Sequence, residues 1–198
     1  SIVGDLGLKQ FHCAETEKYP HVTFFINGGR EEPYPGEKRV LIPSPNVATY
    51  DLKPEMSCKE VAEEVIRAIK NPEYKLIVVN FANGDMVGHT AVKDAIIEAM
   101  NELDSVIGEV VCEAIGANVS TLITADHGNV DEINNPKTGK PNTQHSLNPV
   151  PCIIVDNNKK WKIVNENGGL SNIAPTMLTL MGIKKPKEMT SESLIIEN

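Results

Sequence analysis

Two apolar runs, each followed closely by an aspartate and a histidine, are the feature that most constrains the fold. The first run covers residues 76–79 (LIVV) and leads into residues 83–89 (NGDMVGH). The second covers residues 120–124 (STLIT) and leads into residues 125–129 (ADHGN). Open α/β sheets place their chemistry beyond the carboxyl ends of their strands. The sequence therefore predicts an α/β fold with a metal-binding site at one edge of the sheet.

The segment between these runs predicts one long helix. Apolar side chains recur at helical spacing from about residue 90 to 115, and Gly116 suits the C-terminal end of a helix. The flanking strands at 75–80 and 119–124 are apolar on both faces. A strand, a helix and a second such strand indicate a βαβ unit with a right-handed crossover.

Other segments predict shorter elements. Residues 21–26 (HVTFFI) are rich in β-branched and aromatic residues and indicate a strand, and residues 151–155 (PCIIV) indicate another. Residues 30–46 contain several prolines, which predicts an extended loop with a short strand at 39–42.

Two helix starts are marked by serines. Ser57 and Glu60 form a capping-box pattern before an amphipathic run. Ser171 is a candidate cap for a last helix, which Gly182 ends. We expect the residues after 184 to extend over the surface.

Composition and charge exclude some classes of function. The 198 residues suffice for one sizeable core. The net charge is −8 and there is no basic cluster, so we expect no nucleic-acid partner. No apolar run reaches membrane-spanning length and no signal-peptide pattern opens the chain, so we expect a cytoplasmic protein without a membrane partner.

The cysteines and the first residue add two expectations. Cys13, Cys58, Cys112 and Cys152 are isolated in the sequence, which indicates reduced, mostly buried thiols. A disulfide framework is the alternative. The chain begins with Ser1 and not with methionine, which predicts a processed product or a fragment of a longer protein.

Five residues are candidate metal ligands: Asp85, His89, Asp126, His127 and His145. Oxygen and nitrogen ligands without a thiolate favour Mn²⁺, or catalytic Zn²⁺ or Co²⁺, over a structural zinc site. Five ligands are too many for one catalytic ion with an open position, and they suit two ions. Paired ions recur in phosphoryl-transfer enzymes, where they stabilise the attacking and leaving oxygens.

Each pair by itself also has an ordinary interpretation, because an aspartate often only orients an imidazole. The joint placement of the pairs after two strands, with a further histidine in the polar segment 128–149, favours the metal site. His12 and His21 are expected to be structural or surface residues. Lys18 lies in a charged stretch (AETEKY), which by itself indicates a solvated turn.

Longer motifs resemble the cofactor-independent phosphoglycerate mutases of the alkaline-phosphatase-like superfamily. The resemblance covers nearly the whole chain and rests on residues 15–19 (ETEKY), 21–25 (HVTFF), 27–29 (NGG), 48–56 (ATYDLKPEM), 83–89 (NGDMVGH) and 124–129 (TADHGN). It implies a three-layer α/β fold with a mostly parallel central sheet and helices on both faces.

The resemblance also implies an activity. The family interconverts 3-phosphoglycerate and 2-phosphoglycerate in glycolysis through a phosphoserine intermediate, with two Mn²⁺ ions, or Co²⁺ or Zn²⁺ in some members. By resemblance, Asp85, His89 and His145 bind one ion, and Asp126 and His127 bind the other. Lys18 matches the lysine that binds the substrate phosphate. The implied partners are these small molecules, and the implied complete enzyme is a monomer.

The chain departs from the family at one important point. The family's nucleophilic serine lies in an N-terminal segment, with a phosphotransferase domain after it, and nothing in this sequence matches either part. We therefore expect residues 1–198 to be the C-terminal portion of the phosphatase-like domain, with an incomplete sheet, a weak second metal site and no activity alone. Ser44, Ser57 and Ser146 lack the nucleophile's sequence context, so no catalytic nucleophile is assigned.

Two alternatives stay open. One is another metalloenzyme of the superfamily, a phosphopentomutase or a phosphohydrolase, which shares the Asp-His-Gly motif and the distant histidine. The other is a non-catalytic metal-binding fragment that acts as a scaffold.

Overall fold

The computed structural model describes residues 2–165 and 167–198. These residues divide into two compact units. The first contains the chain up to Glu113 together with His127–Pro149, and the second contains Ala114–Asp126 together with Val150–Asn198.

A parallel sheet forms the centre of the first unit. Its strands are β1 (Lys9–Glu15), β2 (Glu37–Ile42) and β3 (Tyr74–Asn80), and their order is β2-β1-β3. β1 pairs with both neighbours in parallel. The α/β class predicted from the sequence is confirmed. The central strand leads directly into Lys18, and β3 leads into the segment that carries Asp85.

Four helices begin in this unit: α1 (Ile2–Asp5), α2 (Cys58–Ile69), α3 (Asn83–Gly88) and α4 (Lys93–Gly116). α2 packs against the sheet through Val61 and Val65, which are buried. Burying side chains of this size stabilises the fold by about 1.5–3 kcal/mol each. The predicted single helix from residue 90 starts at Lys93, because Ala91 adopts a left-handed conformation (φ 53°) after α3.

The start of α2 agrees with the sequence pattern but not with the predicted cap. Ser57 is the N-terminal flanking residue, yet its side chain makes no capping hydrogen bond. Its hydroxyl donates instead to the carbonyl oxygen of Pro43, 2.8 Å away. The serine therefore fastens the proline-rich loop to the start of the helix.

Residues 21–25 form a π-helical turn, so the strand predicted there is wrong. Two hydrogen bonds favour the helical form: the Thr23 hydroxyl donates to the Tyr19 carbonyl at 2.7 Å, and His12 Nδ1 lies 2.5 Å from the Val22 carbonyl. Burial lowers the pKa of His12. A neutral imidazole protonated at Nδ1 therefore donates to the turn. The side chains of Phe11 and Cys13 point away from His12, so the turn and α2 cover opposite faces of the sheet.

The second unit contains two small antiparallel sheets. β4 (Thr121–Thr124) pairs with β5 (Cys152–Val155), and β6 (Trp161–Ile163) pairs with β7 (Ile195–Glu197). Among the described residues, the strand pairings do not form the predicted βαβ unit, because β4 hydrogen-bonds to β5 in the antiparallel direction. An apolar run indicates burial but does not specify its pairing partner. The tail was predicted to extend over the surface, but part of it is buried, since β7 includes the buried Ile195.

Two helices that end in the second unit are each followed by a residue in the left-handed conformation. At the end of α4, Asn118 adopts a left-handed conformation (φ 55°), and the Val119 N–H donates to the Ala114 carbonyl at 2.8 Å. α5 (Ile173–Leu180) ends in the same way at Gly182 (φ 68°), as predicted. Asn118, and not Gly116, therefore provides the left-handed residue that closes α4.

The predicted Ser171 cap of α5 is not observed. A turn of 3₁₀ helix precedes the helix, and the Asn172 side-chain oxygen accepts a hydrogen bond from the Gly169 N–H at 2.9 Å. In the part of the chain that the structure describes, no helix is both long and apolar enough to cross a bilayer. The four cysteines are free thiols; Cys13 and Cys58 are buried, and Cys112 is exposed.

Candidate metal centre

The carboxylate of Asp85 is the meeting point of the candidate site in the first unit. Asp85 lies in the first turn of α3, which follows β3 after two residues. Its Oδ1 lies 3.0 Å from His89 Nε2 and 3.0 Å from His145 Nε2. Its Oδ2 forms an ion pair with Lys18 Nζ at 2.9 Å.

The three candidate ligand atoms, Asp85 Oδ1, His89 Nε2 and His145 Nε2, form a nearly regular triangle, and they are called the donor triangle below. The third side, from His89 Nε2 to His145 Nε2, is 3.2 Å. Ligand atoms about 2.1 Å from an ion, at right angles to one another, lie about 3.0 Å apart. The donor set of one carboxylate and two imidazoles therefore fits three adjacent positions around one octahedral ion, the geometry typical of Mn²⁺.

The orientation of His89 directs its Nε2 atom at Asp85, as a shared metal ion would require. His89 Nδ1 lies 2.7 Å from the Thr143 carbonyl oxygen, which places the proton of a neutral ring on Nδ1. Nε2 then directs a lone pair at the Asp85 carboxylate. Two lone pairs 3.0 Å apart repel each other unless a proton or a metal cation lies between them.

His127 is a further imidazole beside the same carboxylate. Its Nε2 lies 3.9 Å from Asp85 Oδ1, and its ring stacks on that of His145 with 3.6 Å between the centroids. Single donor atoms of Asp85, His127 and His145 lie within 4.8 Å of one another. The structure thus brings four of the five predicted ligands together, and the division of these ligands between two ions stays a prediction.

Asp126, the fifth predicted ligand, belongs to the second unit. It comes two residues after β4 and is partly buried. Its role as a ligand stays a prediction from the sequence.

The polar loop 128–149 holds His145 by folding back on itself. Antiparallel bridges join Gly128 to Ser146 and Asn134 to Pro141. Beyond the second bridge, the Asn135 N–H donates to the Lys140 carbonyl at 2.8 Å. A loop without periodic sequence therefore has fixed ends beside the donor set.

Lys18 is not in a solvated turn, as its charged neighbours alone would indicate. Only 3% of its side chain is exposed, and it faces Asp85. Burial would raise the pKa of the Asp85 carboxyl, but hydrogen bonds from Lys18 and Asn129 outweigh this effect and lower its pKa to about 2. Asp85 is therefore ionised throughout the neutral range, as a metal ligand must be.

Exposure increases from one side of the site to the other. The side chains of Lys18 and Asp85 are 3% and 14% exposed, whereas those of His89 and His145 are 39% and 47% exposed. The charged pair is therefore anchored in the unit, and the imidazoles face solvent, from which a cation can reach them.

Sequence reasoning missed Asn129 at this site and Glu15 at the end of the strand that precedes Lys18. Asn129 donates to Asp85 Oδ1 at 2.9 Å; its position directly after the Asp-His-Gly motif was the available signal. Glu15 is fully buried at the carboxyl end of β1, where it accepts a hydrogen bond from the Ser44 hydroxyl at 2.9 Å. Burial raises the pKa of Glu15 to about 7. No sequence pattern distinguishes this glutamate from its exposed neighbour Glu17.

Comparison with known proteins shows the family to which the chain belongs. A model of the Metalloenzyme superfamily matches residues 2–185. The chain belongs to this superfamily. Membership agrees with a set of oxygen and nitrogen donors arranged around one point.

Individual proteins resemble the chain over its whole length. The chain is 49% identical to a 2,3-bisphosphoglycerate-independent phosphoglycerate mutase of Chloroflexus aggregans, and the match covers 100% of this chain and 37% of that protein. It is 52% identical to the protein of the same name from Bacteroides thetaiotaomicron, over 98% of this chain and 38% of that one. The resemblance inferred from the motifs is confirmed, and the chain spans somewhat over a third of the length of these relatives.

A solved structure has the same fold as this chain. It is a crystal structure of Leishmania mexicana phosphoglycerate mutase at low cobalt concentration, with a TM-score of 0.90 and 32% sequence identity. The match covers 99% of this chain and 38% of that chain. The α/β fold expected from the resemblance is therefore confirmed.

Replacing Lys18 by methionine should raise the pKa of Asp85 from about 2, because the ion pair is lost while burial remains. In the wild type, the lowered pKa of Asp85 contributes about 2 kcal/mol to the free energy of unfolding. This contribution is present when the pH is above the ordinary pKa of an aspartate, and it is lost as the pH falls towards 2. The variant should lose less stability on acidification. Titration of the Asp85 carboxyl carbon by NMR measures the pKa. Lys9→Met, which removes an exposed ion pair with Glu73, is the control and should leave it unchanged.

Replacing Glu15 by glutamine should flatten the pH dependence of stability. The folded-state pKa of Glu15 is raised from 4.5 to about 7, so the stability it contributes is present below pH 4.5 and is lost as the pH rises through 7. The loss is about 3 kcal/mol. Urea unfolding at pH 4.5, 6 and 7.5 measures it, with the exposed Glu98→Gln as the control. The prediction would be contradicted if the free energy of unfolding changed equally with pH in the wild type and in Glu15→Gln.

Proposed function

We propose that this chain is the metal-binding and phosphate-handling part of a cofactor-independent phosphoglycerate mutase. The complete enzyme interconverts 3-phosphoglycerate and 2-phosphoglycerate in cytoplasmic glycolysis through a phosphoserine intermediate. One observation carries the proposal: Asp85 joins two imidazole nitrogens at 3.0 Å to the buried ammonium of Lys18. The names of the relatives support the choice of substrate.

In this proposal, Asp85, His89 and His145 hold one divalent ion, and Asp126 and His127 contribute to a second. Mn²⁺ is the preferred metal, with Co²⁺ or Zn²⁺ as substitutes. A bound divalent cation supplies positive charge that stabilises the oxygens of a transferring phosphoryl group.

The chain's own residues prepare the site for this chemistry. Asp85 remains ionised because Lys18 and Asn129 donate to it, so no proton competes with a cation at neutral pH. Thr143 fixes the tautomer of His89, which leaves Nε2 available as a donor. Lys18 adds a buried positive charge beside the donor set, where a phosphate dianion would be stabilised.

The three serine hydroxyls considered as possible nucleophiles each donate a hydrogen bond to another group. Ser44 donates to Glu15, Ser57 to the Pro43 carbonyl and Ser146 to Asp131. None of these bonds places an oxygen at the donor triangle. We therefore propose that the phosphoserine forms on a residue outside the present sequence, and that residues 1–198 alone do not turn over substrate.

The first test is metal binding. We expect the chain to bind Mn²⁺ at pH 7, and Asp85→Asn to raise the dissociation constant by more than about tenfold, since it removes the shared carboxylate. Asp104→Asn, which changes an exposed aspartate on α4, should bind like the wild type. Electron paramagnetic resonance of free Mn²⁺ gives the constants. Equal, negligible uptake by wild type and His89→Ala would favour a non-catalytic fragment instead.

The second test is activity in a complete enzyme. In a chimera, residues 1–198 replace the matching 37% of the Chloroflexus aggregans protein. We expect it to convert 3-phosphoglycerate in an enolase-coupled assay. Asp85→Ala, His127→Ala and Lys18→Ala should each abolish turnover, and Asp104→Asn should not. Isomerisation of pentose phosphates but not of phosphoglycerates would favour a phosphopentomutase.

A further inference from the structure

The two segments that carry His127 and His145 are fastened to each other. The Ser146 N–H donates to the Gly128 carbonyl at 2.9 Å, which forms an antiparallel bridge between residues adjacent to the two histidines. Directly beside this bridge, the rings of His127 and His145 stack with 17° between their planes. The bridge therefore sets the distance between the two imidazoles.

Asp131 joins both sides of this bridge. Its Oδ2 accepts a hydrogen bond from the Ser146 hydroxyl at 2.7 Å and another from the Asn148 side-chain amide at 2.6 Å. One carboxylate thus fastens the residues that follow His145 to those that follow His127.

The close approach at this point depends on a glycine. A Cβ atom on Gly128 would lie 2.1 Å from the Ser146 hydroxyl oxygen and 2.8 Å from Asp131 Oδ1. Any side chain at position 128 would therefore push Ser146 and Asp131 away. Ser146 itself is buried, so its hydroxyl needs the acceptor that Asp131 provides.

We propose that Asp131 is a positioning residue, which fixes the arrangement of the His127 and His145 rings for cation binding without being a ligand. Asp131 is outside the group of metal-capable side chains formed by Asp85, His127 and His145 among the described residues. Removing a carboxylate that hydrogen-bonds a ligating imidazole typically changes metal affinity by about 10–100-fold, and we expect an effect at the lower end of this range for Asp131, which acts through Ser146. The part of this proposal that concerns the cation rests on the proposed function.

The experiment compares Asp131→Ala with Asp156→Ala in the 198-residue chain. Asp156 makes a similar pair of bonds in the second unit, to the Ser120 hydroxyl at 2.9 Å and to the Trp161 indole N–H at 2.8 Å. Both variants lose an acceptor for a serine and for a nitrogen donor, so both should lower the urea midpoint. Only Asp131→Ala removes an acceptor at the bridge between the residues adjacent to His127 and His145.

Two readouts separate positioning from general stability. In the metal-free chain, nuclear Overhauser effects between the ring protons of His127 and His145 should be lost in Asp131→Ala and kept in Asp156→Ala. In a Mn²⁺ titration, the dissociation constant should rise by about tenfold or more in Asp131→Ala only. Ser146→Ala, which removes one of the bonds, should change both readouts in the same direction by less and serves if Asp131→Ala does not fold.

Unchanged ring contacts and unchanged Mn²⁺ affinity in Asp131→Ala and Ser146→Ala would overturn the proposal, as would an equal loss in Asp156→Ala. If the wild-type chain binds no Mn²⁺, the proposed function fails, and the ring contacts alone still decide the role of Asp131.

Discussion

The negative charge of Asp85 holds the candidate site together. Lys18 from the end of the central strand, Asn129 from the polar loop, and His89 and His145 all approach the two oxygens of this carboxylate within 3.0 Å. A half-buried carboxylate is stable only when it is well paired. Chain segments that are distant in sequence are therefore drawn to one point by electrostatics as well as by apolar packing.

Small residues make this convergence possible. A Cβ on Gly88 would lie 2.4 Å from the Asn129 side-chain oxygen, so the glycine before His89 allows Asn129 to reach Asp85. Gly128 has the same role on the other side of the site. Neither glycine is needed for a positive φ angle, since neither adopts the left-handed conformation. They serve close packing between segments that carry ligands.

The sequence predicted which side chains lie close together at the site better than it predicted the structure around them. Asp85 and His89 were predicted correctly as neighbours because spacing of four residues on a single helical turn is a local property. The π-helical turn at 21–25 was mispredicted because the hydrogen bond from His12 on β1 to the Val22 carbonyl is a tertiary contact that a local sequence pattern does not show. Glu15 is buried as the last residue of the central strand and Lys18 as part of the turn that follows it, whereas the charged residues beside them in the sequence predict exposure.

The fixed ends of the polar loop have a consequence for variation in chain length. Its two bridges, Gly128 to Ser146 and Asn134 to Pro141, lie between the donors and the outer turn at residues 135–140. Extra or missing residues in that turn would be absorbed beyond the second bridge, without altering the separation of the imidazoles. The outer turn is therefore the part of the loop whose length can vary without moving the His145 ring.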